Sequence, residues 1–527
     1  MNEALRLTWV QPEDLIGHEL RQAEEDGRDG SHIRDRWLSA GGSLSPERAG
    51  ASAEPAPPAL RALAEELLAE LAALPSPLAP DEPTSLPTIR TGCPAWPPPA
   101  SPTAGDAATS PAPPEADAGR GPLRSGTPPR AALPGQPPAA GLVRDGARIG
   151  AGAQRGPGER NPGPAPGRGR WPGTRRALGP ALHAAWLGRA AGCLLGKPVE
   201  KLPLHAIRDL ARATGNWPLT SWFTARGVPE ELARAHPWNR RSAPTSLAEN
   251  IDGMPEDDDL NYPLLGLLLL QRHGRRFTTA DVARLWLDEL PAGRTFTAER
   301  VAYRNLLSGI EPPLTAAHRN PFREWIGGAI RADMHGWTNP GDPAAAAAQA
   351  YRDAALTHTA NGLYGAMFVA AALAAAAGGD VDVHEAIAAG LAVVPPRSRL
   401  AHAVRFGVET AHAHTDFADA VDRIHSRYGA YHWVHVIPNT ALLVAALTHA
   451  DGDFTGSICR AVSGGLDTDS NGATAGSLAG LLAGRPDALP DRWTVPLKNR
   501  LATSVAGFDG VGFDTLAHLT LKEALRP

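Results

Sequence analysis

"GGLDTDSNGATAGSLAG", residues 464–480, decides how this chain reads. Asp467, Asp469 and Asn471 stand at alternate positions and Gly472 follows, which is how a calcium loop of the EF-hand type begins. Such a loop needs a bidentate acid at its twelfth position, and counting from Asp467 that position is Leu478. The apolar run from Ala473 onward also predicts a helix that starts inside the supposed loop. The calcium reading fails. What survives is a pair of carboxylates with hydroxyls on Thr468 and Ser470, just ahead of a helix N-terminus. Acids there gain from the helix dipole whatever their function, so capping and metal ligation both stay open.

A second acidic stretch lies upstream, in "GMPEDDDLNYPLLGLLLL", residues 253–270. Glu256, Asp257, Asp258 and Asp259 adjoin an apolar helix, and capping needs only one or two of them. Packed near a core, four adjacent carboxylates call for cations. Mg²⁺ suits them, since it takes hard oxygen ligands; the other reading is a solvated acidic turn. Pro263 fits only a first turn, so the helix is predicted to begin near Asn261 or Tyr262, with the acids in the loop before it. A third stretch, "AAWLGRAAGCLLGKPVE" at 184–200, spaces Gly188, Gly192 and Gly196 every fourth residue. That spacing predicts one glycine stripe for tight helix packing, with Glu200 beyond the Lys-Pro break.

In this order the three stretches resemble the ADP-ribosylglycohydrolase family, which includes the dinitrogenase-reductase-activating glycohydrolases. The family's late motif, G-x-D-T-D-x-x-G-A-x-x-G, matches "GGLDTDSNGATAG" at 464–476. Its central T-D-D-T is matched by "DDDL", which puts Asp257 at the first ligand position; a slide by one would put Glu256 there, and the first register is preferred. Its opening G-D-x-x-G-x-P-x-E is matched from Gly192 to Glu200, with Cys193 where many members have Asp. The resemblance spans residues 178–520.

The resemblance implies a compact all-α, multi-helix fold with a binuclear Mg²⁺ centre at the base of a cleft, Mn²⁺ being the alternative ion. Asp257, Asp258 and Asp259 would hold it from one side, and Asp467, Asp469 and Ser470 from the other. It implies hydrolysis of the bond from ribose C1 of an ADP-ribosyl group to a modified group, usually a protein side chain. Glu200 would stabilise charge at C1 or handle a proton, with Asp258 its rival. In "LTHTANGLYGAMF" (356–368), His358 and Asn361 resemble a cleft-lining stretch and are candidates for substrate contact, against a capped, buried His. Gly472 and Gly476 either let backbone amides approach a phosphate or serve close helix packing. Trp325 and Phe368 either stack adenine or belong to the core, and His432 and His435 read as packing residues. The competing account is a module that holds ADP-ribose without turning it over; that every proposed carboxylate is present favours catalysis.

Composition sets the frame. The net charge of −5 argues against nucleic acid as the main partner. No stretch of eighteen purely apolar residues suggests a membrane span, and "MNEALRLTWVQPEDL" does not read as a signal peptide. Three scattered cysteines fit a reducing cytoplasm. Lysine occurs only at 197, 201, 498 and 522, an arginine bias that fits a GC-rich bacterial genome. Residues 1–92 carry helical signals and Trp9 and Trp37, and read as a small segment able to bind an unknown protein partner. Residues 93–174, dense in Pro, Ala, Gly and Arg, read as a disordered linker. Residues 175–527 read as the all-α catalytic domain, in which "HWVHVIP" (432–438) is the best strand candidate.

Overall fold

Two glycine-striped helices meet at the centre of the computed structural model, which describes residues 6–45, 50–98 and 177–526. They are Leu178–Gly196 and Thr468–Ala483, and they run antiparallel. A Cβ on Gly188 would lie 2.1 Å from the Gly476 carbonyl oxygen, and one on Gly192 would lie 1.8 Å from that of Gly472. Further along, Gly196 faces the Thr468 carbonyl and Gly480 that of Ala184. Backbone therefore packs on backbone, which only glycine permits at this distance. The stripe predicted on the first helix finds its complement on the second.

Helices wrap this pair. Ala360–Ala377 is long and apolar enough to cross a membrane by length and composition, yet 94% of it is buried in the fold, which makes it a core helix. Val436–His449 packs on Arg399–Ala413, where Gly407 faces the Ala441 carbonyl. The described residues contain 23 α-helices and no strand, only isolated bridges such as Trp325 with His435. The 432–438 stretch is thus not a strand. His435 caps the Val436–His449 helix by accepting from the Ile437 amide at 3.2 Å. Pro438 is tolerated because it falls in the first turn, where amides have no helical partner.

A second correction concerns Pro263. The helix begins at Asp258, not near Asn261 or Tyr262, and runs through the proline to His273. Pro263 has no amide to give the Asp259 carbonyl, four residues back. Arg189 supplies the donor instead, its Nε lying 2.7 Å from that carbonyl oxygen. The late helix likewise starts at Thr468, earlier than the apolar run beginning at Ala473 predicts.

The N-terminal helices Pro12–Glu25, Ser31–Ser39 and Pro58–Ala73 share a core with the main body. Leu15, Leu20, Trp37 and Leu67 join Ala298, Val301, Phe322 and Trp325 in it. Arg323 pairs with Glu19 at 2.8 Å, and Arg399 bridges Glu82 and Glu324, each at 2.7 Å. The N-terminal segment thus docks on the main body through its apolar face and these ion pairs. The linker reading falls almost wholly outside the described residues; of it, Cys93 is buried and Trp96 packs on the main core.

Candidate functional site

The helix crossing sets the site. The Thr468 hydroxyl donates to the Gly196 carbonyl at 2.8 Å, which holds the corner at 197–200 against the start of the late helix. The start of the Asp258–His273 helix closes from a third side, where the Ser470 hydroxyl donates to Asp259 Oδ2 at 3.3 Å. Cys193 Sγ lies 3.9 Å from the same oxygen. Ligand atoms of Cys193, Asp257 and Asp259 all lie within 4.8 Å of one another. The three sequence stretches converge on one place.

Capping accounts for one acid here. Asp257 Oδ1 accepts the Asp259 amide at 2.9 Å as the N-cap of its helix. Asp467 stands at the N-cap of the late helix, yet its side chain makes no capping bond. Its amide is held instead by Asn439 Oδ1 at 3.1 Å, which also accepts from Asn471 at 2.7 Å. Asn439 in turn donates to the carbonyls of Trp433 and His435, tying the late motif to the 433–435 turn.

Electrostatics separate the acids. Burial, then the neighbouring carboxylates Asp257 and Asp259, push Asp258 well above the usual carboxylate range. Asp259 is also pushed well up by burial, against the pull of Arg189. Asp467 is raised by burial and then by Asp469, and Asp469 is pushed up to about 7 by burial and then by Glu200. Asp257 goes the other way: burial acts to raise it, but the Lys197 ammonium in contact with its Oδ2 brings it down. The cluster is short of positive charge. Its hard oxygen donors fit a divalent cation, and Asp257, Asp258, Asp259, Asp467, Asp469 and Ser470 are the residues that could hold one.

Glu200, on the rim, accepts from Asn239 Nδ2 at 2.8 Å and pairs with Lys201 at 2.9 Å. Glu256 turns away, accepting the Ser504 amide at 3.1 Å and pairing with Arg294 at 3.0 Å, so Asp257 rather than Glu256 meets the cluster. A cavity of about 300 Å³ adjoins the site, walled by Lys201, Leu466, Tyr428, Tyr431 and Trp433.

Other sequence candidates lie apart. His358 is buried, accepting the Gly328 amide at 3.2 Å and sharing a hydrogen bond with the Thr357 hydroxyl at 2.5 Å. Asn361 is buried between Glu324 and the Leu400 amide. With these polar atoms engaged inside the protein, neither residue faces the acids. Gly472 packs on Gly192, the helix-packing alternative. Trp325 stacks on His432 at 4.2 Å, and Phe368 is buried; both are core residues. Sequence patterns did not point to Arg189, Lys197, Asn239 or Asn439. For Lys197 a signal existed, since it is one of only four lysines in an arginine-rich chain.

Comparison with known proteins follows this geometry. Curated proteins yield no match to the chain. Among solved structures, one described as an "ADP-ribosylglycohydrolase-related protein complex" is 21% identical, covers 66% of this chain and 99% of its own, and superposes with a TM-score of 0.42. The family model described as ADP-ribosylglycohydrolase matches residues 175–522, the span that carries all three acidic stretches. By that match the chain belongs to the ADP-ribosylglycohydrolase family.

Proposed function

We propose that the protein is a Mg²⁺-dependent hydrolase that cleaves the bond between ribose C1 of an ADP-ribosyl group and the group it modifies, a protein side chain being the favoured acceptor. One observation carries this reading: Asp258, Asp259, Asp467 and Asp469, drawn from two distant stretches, share a site with too little positive charge to balance them. Bound Mg²⁺, or Mn²⁺ in its place, would supply orientation of the ribose hydroxyls and a water of lowered pKa.

The chain's own residues supply the rest. Glu200 is fixed by Asn239 and Lys201 at the rim, where its carboxylate can face positive charge developing at C1. Asp258 lies at the start of its helix beside Asp257 and Asp259, where its carboxylate would serve as an oxygen ligand to the cation. Tyr428, Tyr431 and Trp433 give the adjoining cavity flat apolar walls for a ring of the substrate. Arg189 keeps Asp259 in place through both its carboxylate and its carbonyl.

The test is calorimetric titration of metal-stripped protein with Mg²⁺, with and without ADP-ribose, beside an assay for ADP-ribose release from modified protein. The D467A/D469A variant should lose metal-dependent ADP-ribose binding and reduce release by about 10²-fold or more. Wild-type protein that binds ADP-ribose with Mg²⁺ but releases none would favour a binding module. Protein that binds neither would sink the reading.

A further inference from the structure

The acidic cluster carries its own cation. Lys197 is buried, and its ammonium contacts Asp257 Oδ2, while Asp257 Oδ1 is engaged by the Asp259 amide. Both oxygens of Asp257 are therefore occupied by the protein. Turning Asp257 toward a metal would break a helix cap and leave a buried ammonium without its partner, an outcome that costs several times what an exposed pair is worth.

The backbone that carries Lys197 is anchored. Its carbonyl accepts the Ser242 hydroxyl at 2.7 Å, and the next residue, Pro198, accepts the Asn239 amide at 3.0 Å. The residue before it, Gly196, is pressed against the Thr468 backbone and accepts the Thr468 hydroxyl. An ammonium on Asp257 also repels any cation placed beside that carboxylate. Asp259 is engaged as well, its Oδ1 by Arg189 at 3.1 Å and its Oδ2 by the Ser470 hydroxyl, but a cation there strands no charge: Arg189 keeps Asp333 at 2.8 Å, and Ser470 is itself an oxygen donor.

Resting on the metal-centre reading above, we propose that Lys197 takes Asp257 out of the ligand set, so that the cluster binds one divalent ion, through Asp258, Asp259, Asp467 and Asp469, rather than two. Asp257 and Lys197 then form a fixed pair that caps the helix and sets its start against the ion.

The experiment counts ions on the full chain. Metal-stripped protein is titrated with Mn²⁺ by calorimetry, and bound Mn²⁺ is counted by electron paramagnetic resonance. The wild type should take one ion and K197M should take two, because Asp257 is then released. Two ions on the wild type would overturn the inference and leave the metal-centre reading standing; none would overturn both. One ion on K197M would also overturn it, since Lys197 would not be what limits the count. If K197M does not fold, K197M/D257N removes both charges together and serves in its place. It should keep one Mn²⁺ with affinity within about threefold of the wild type, whereas a loss of about tenfold or more would make Asp257 a ligand.

Discussion

Two buried clusters of charge hold this molecule, and they are built on opposite principles. Where the N-terminal helices dock, carboxylates meet arginines: Glu19 and Asp26 with Arg28 and Arg323, and Glu82 and Glu324 with Arg399. At the helix crossing, Asp257, Asp258, Asp259, Asp467 and Asp469 have fewer cations beside them, namely Lys197, one side of Arg189 and the rim Lys201 that already pairs with Glu200. Paired charge fixes one part of the chain to another. Acids with few cations beside them cost stability, a cost that the proposed divalent ion would offset.

The comparison can be broken most directly by cutting. Deletion of residues 1–98 strips Arg323 of Glu19 and Asp26 and Arg399 of Glu82, and uncovers Phe322 and Trp325. The truncated protein should not accumulate in folded form, as circular dichroism and protease resistance would show; a stable, ADP-ribose-binding truncation would prove the docked segment dispensable. Next in size is a pair of opposite effects. R399M leaves Glu82 and Glu324 buried without their cation and should cost about 3–5 kcal/mol in urea unfolding, with Mn²⁺ affinity unchanged. D467N/D469N removes repulsion and should raise the thermal midpoint of metal-free protein while abolishing the further rise that Mg²⁺ gives the wild type. Equal destabilisation by both variants would erase the distinction between the clusters.

The smallest effect is a pH slope at the docking cluster. Glu25 is pushed up to about 8, chiefly by burial, although the His432 amide bonds to it. The unfolded chain releases this proton near its ordinary value of 4.5, and the native protein keeps it until about 8. Stability is therefore lost as pH rises through that window. Buried His18 and His432 are lowered to about 4 and about 3, so their charging costs stability only on the acid side of 6.5. Between about pH 6.5 and 8 Glu25 adds its slope to that of the raised site acids in denaturant titrations, and E25Q should make the loss shallower. A slope unchanged in E25Q would assign it to the site acids alone.

The legible part of the site was the set of acids, because each acidic stretch adjoins its own helix and names itself by local spacing. Residues chosen from a neighbouring apolar helix fared otherwise: His358 and Asn361 sit in sequence patterns that do not distinguish a cleft wall from a core. Nor could periodicity anticipate that Pro263 would lie inside a helix, since the donor that makes this tolerable, Arg189, is far away in the chain.

By itself the sequence determined the all-α class and the glycine stripe, both written in spacings of three and four residues that a helix turns onto one face. It also carried the acids that the fold brings together. Tertiary structure alone decided the antiparallel meeting of Gly188 with Gly476 and Gly192 with Gly472, the docking of the first hundred residues, and the capture of Asp257 by Lys197. The reason is range. Helix formation is settled within a turn or two of the chain, whereas the partner of a buried charge is set by whichever distant residue the packed core brings beside it.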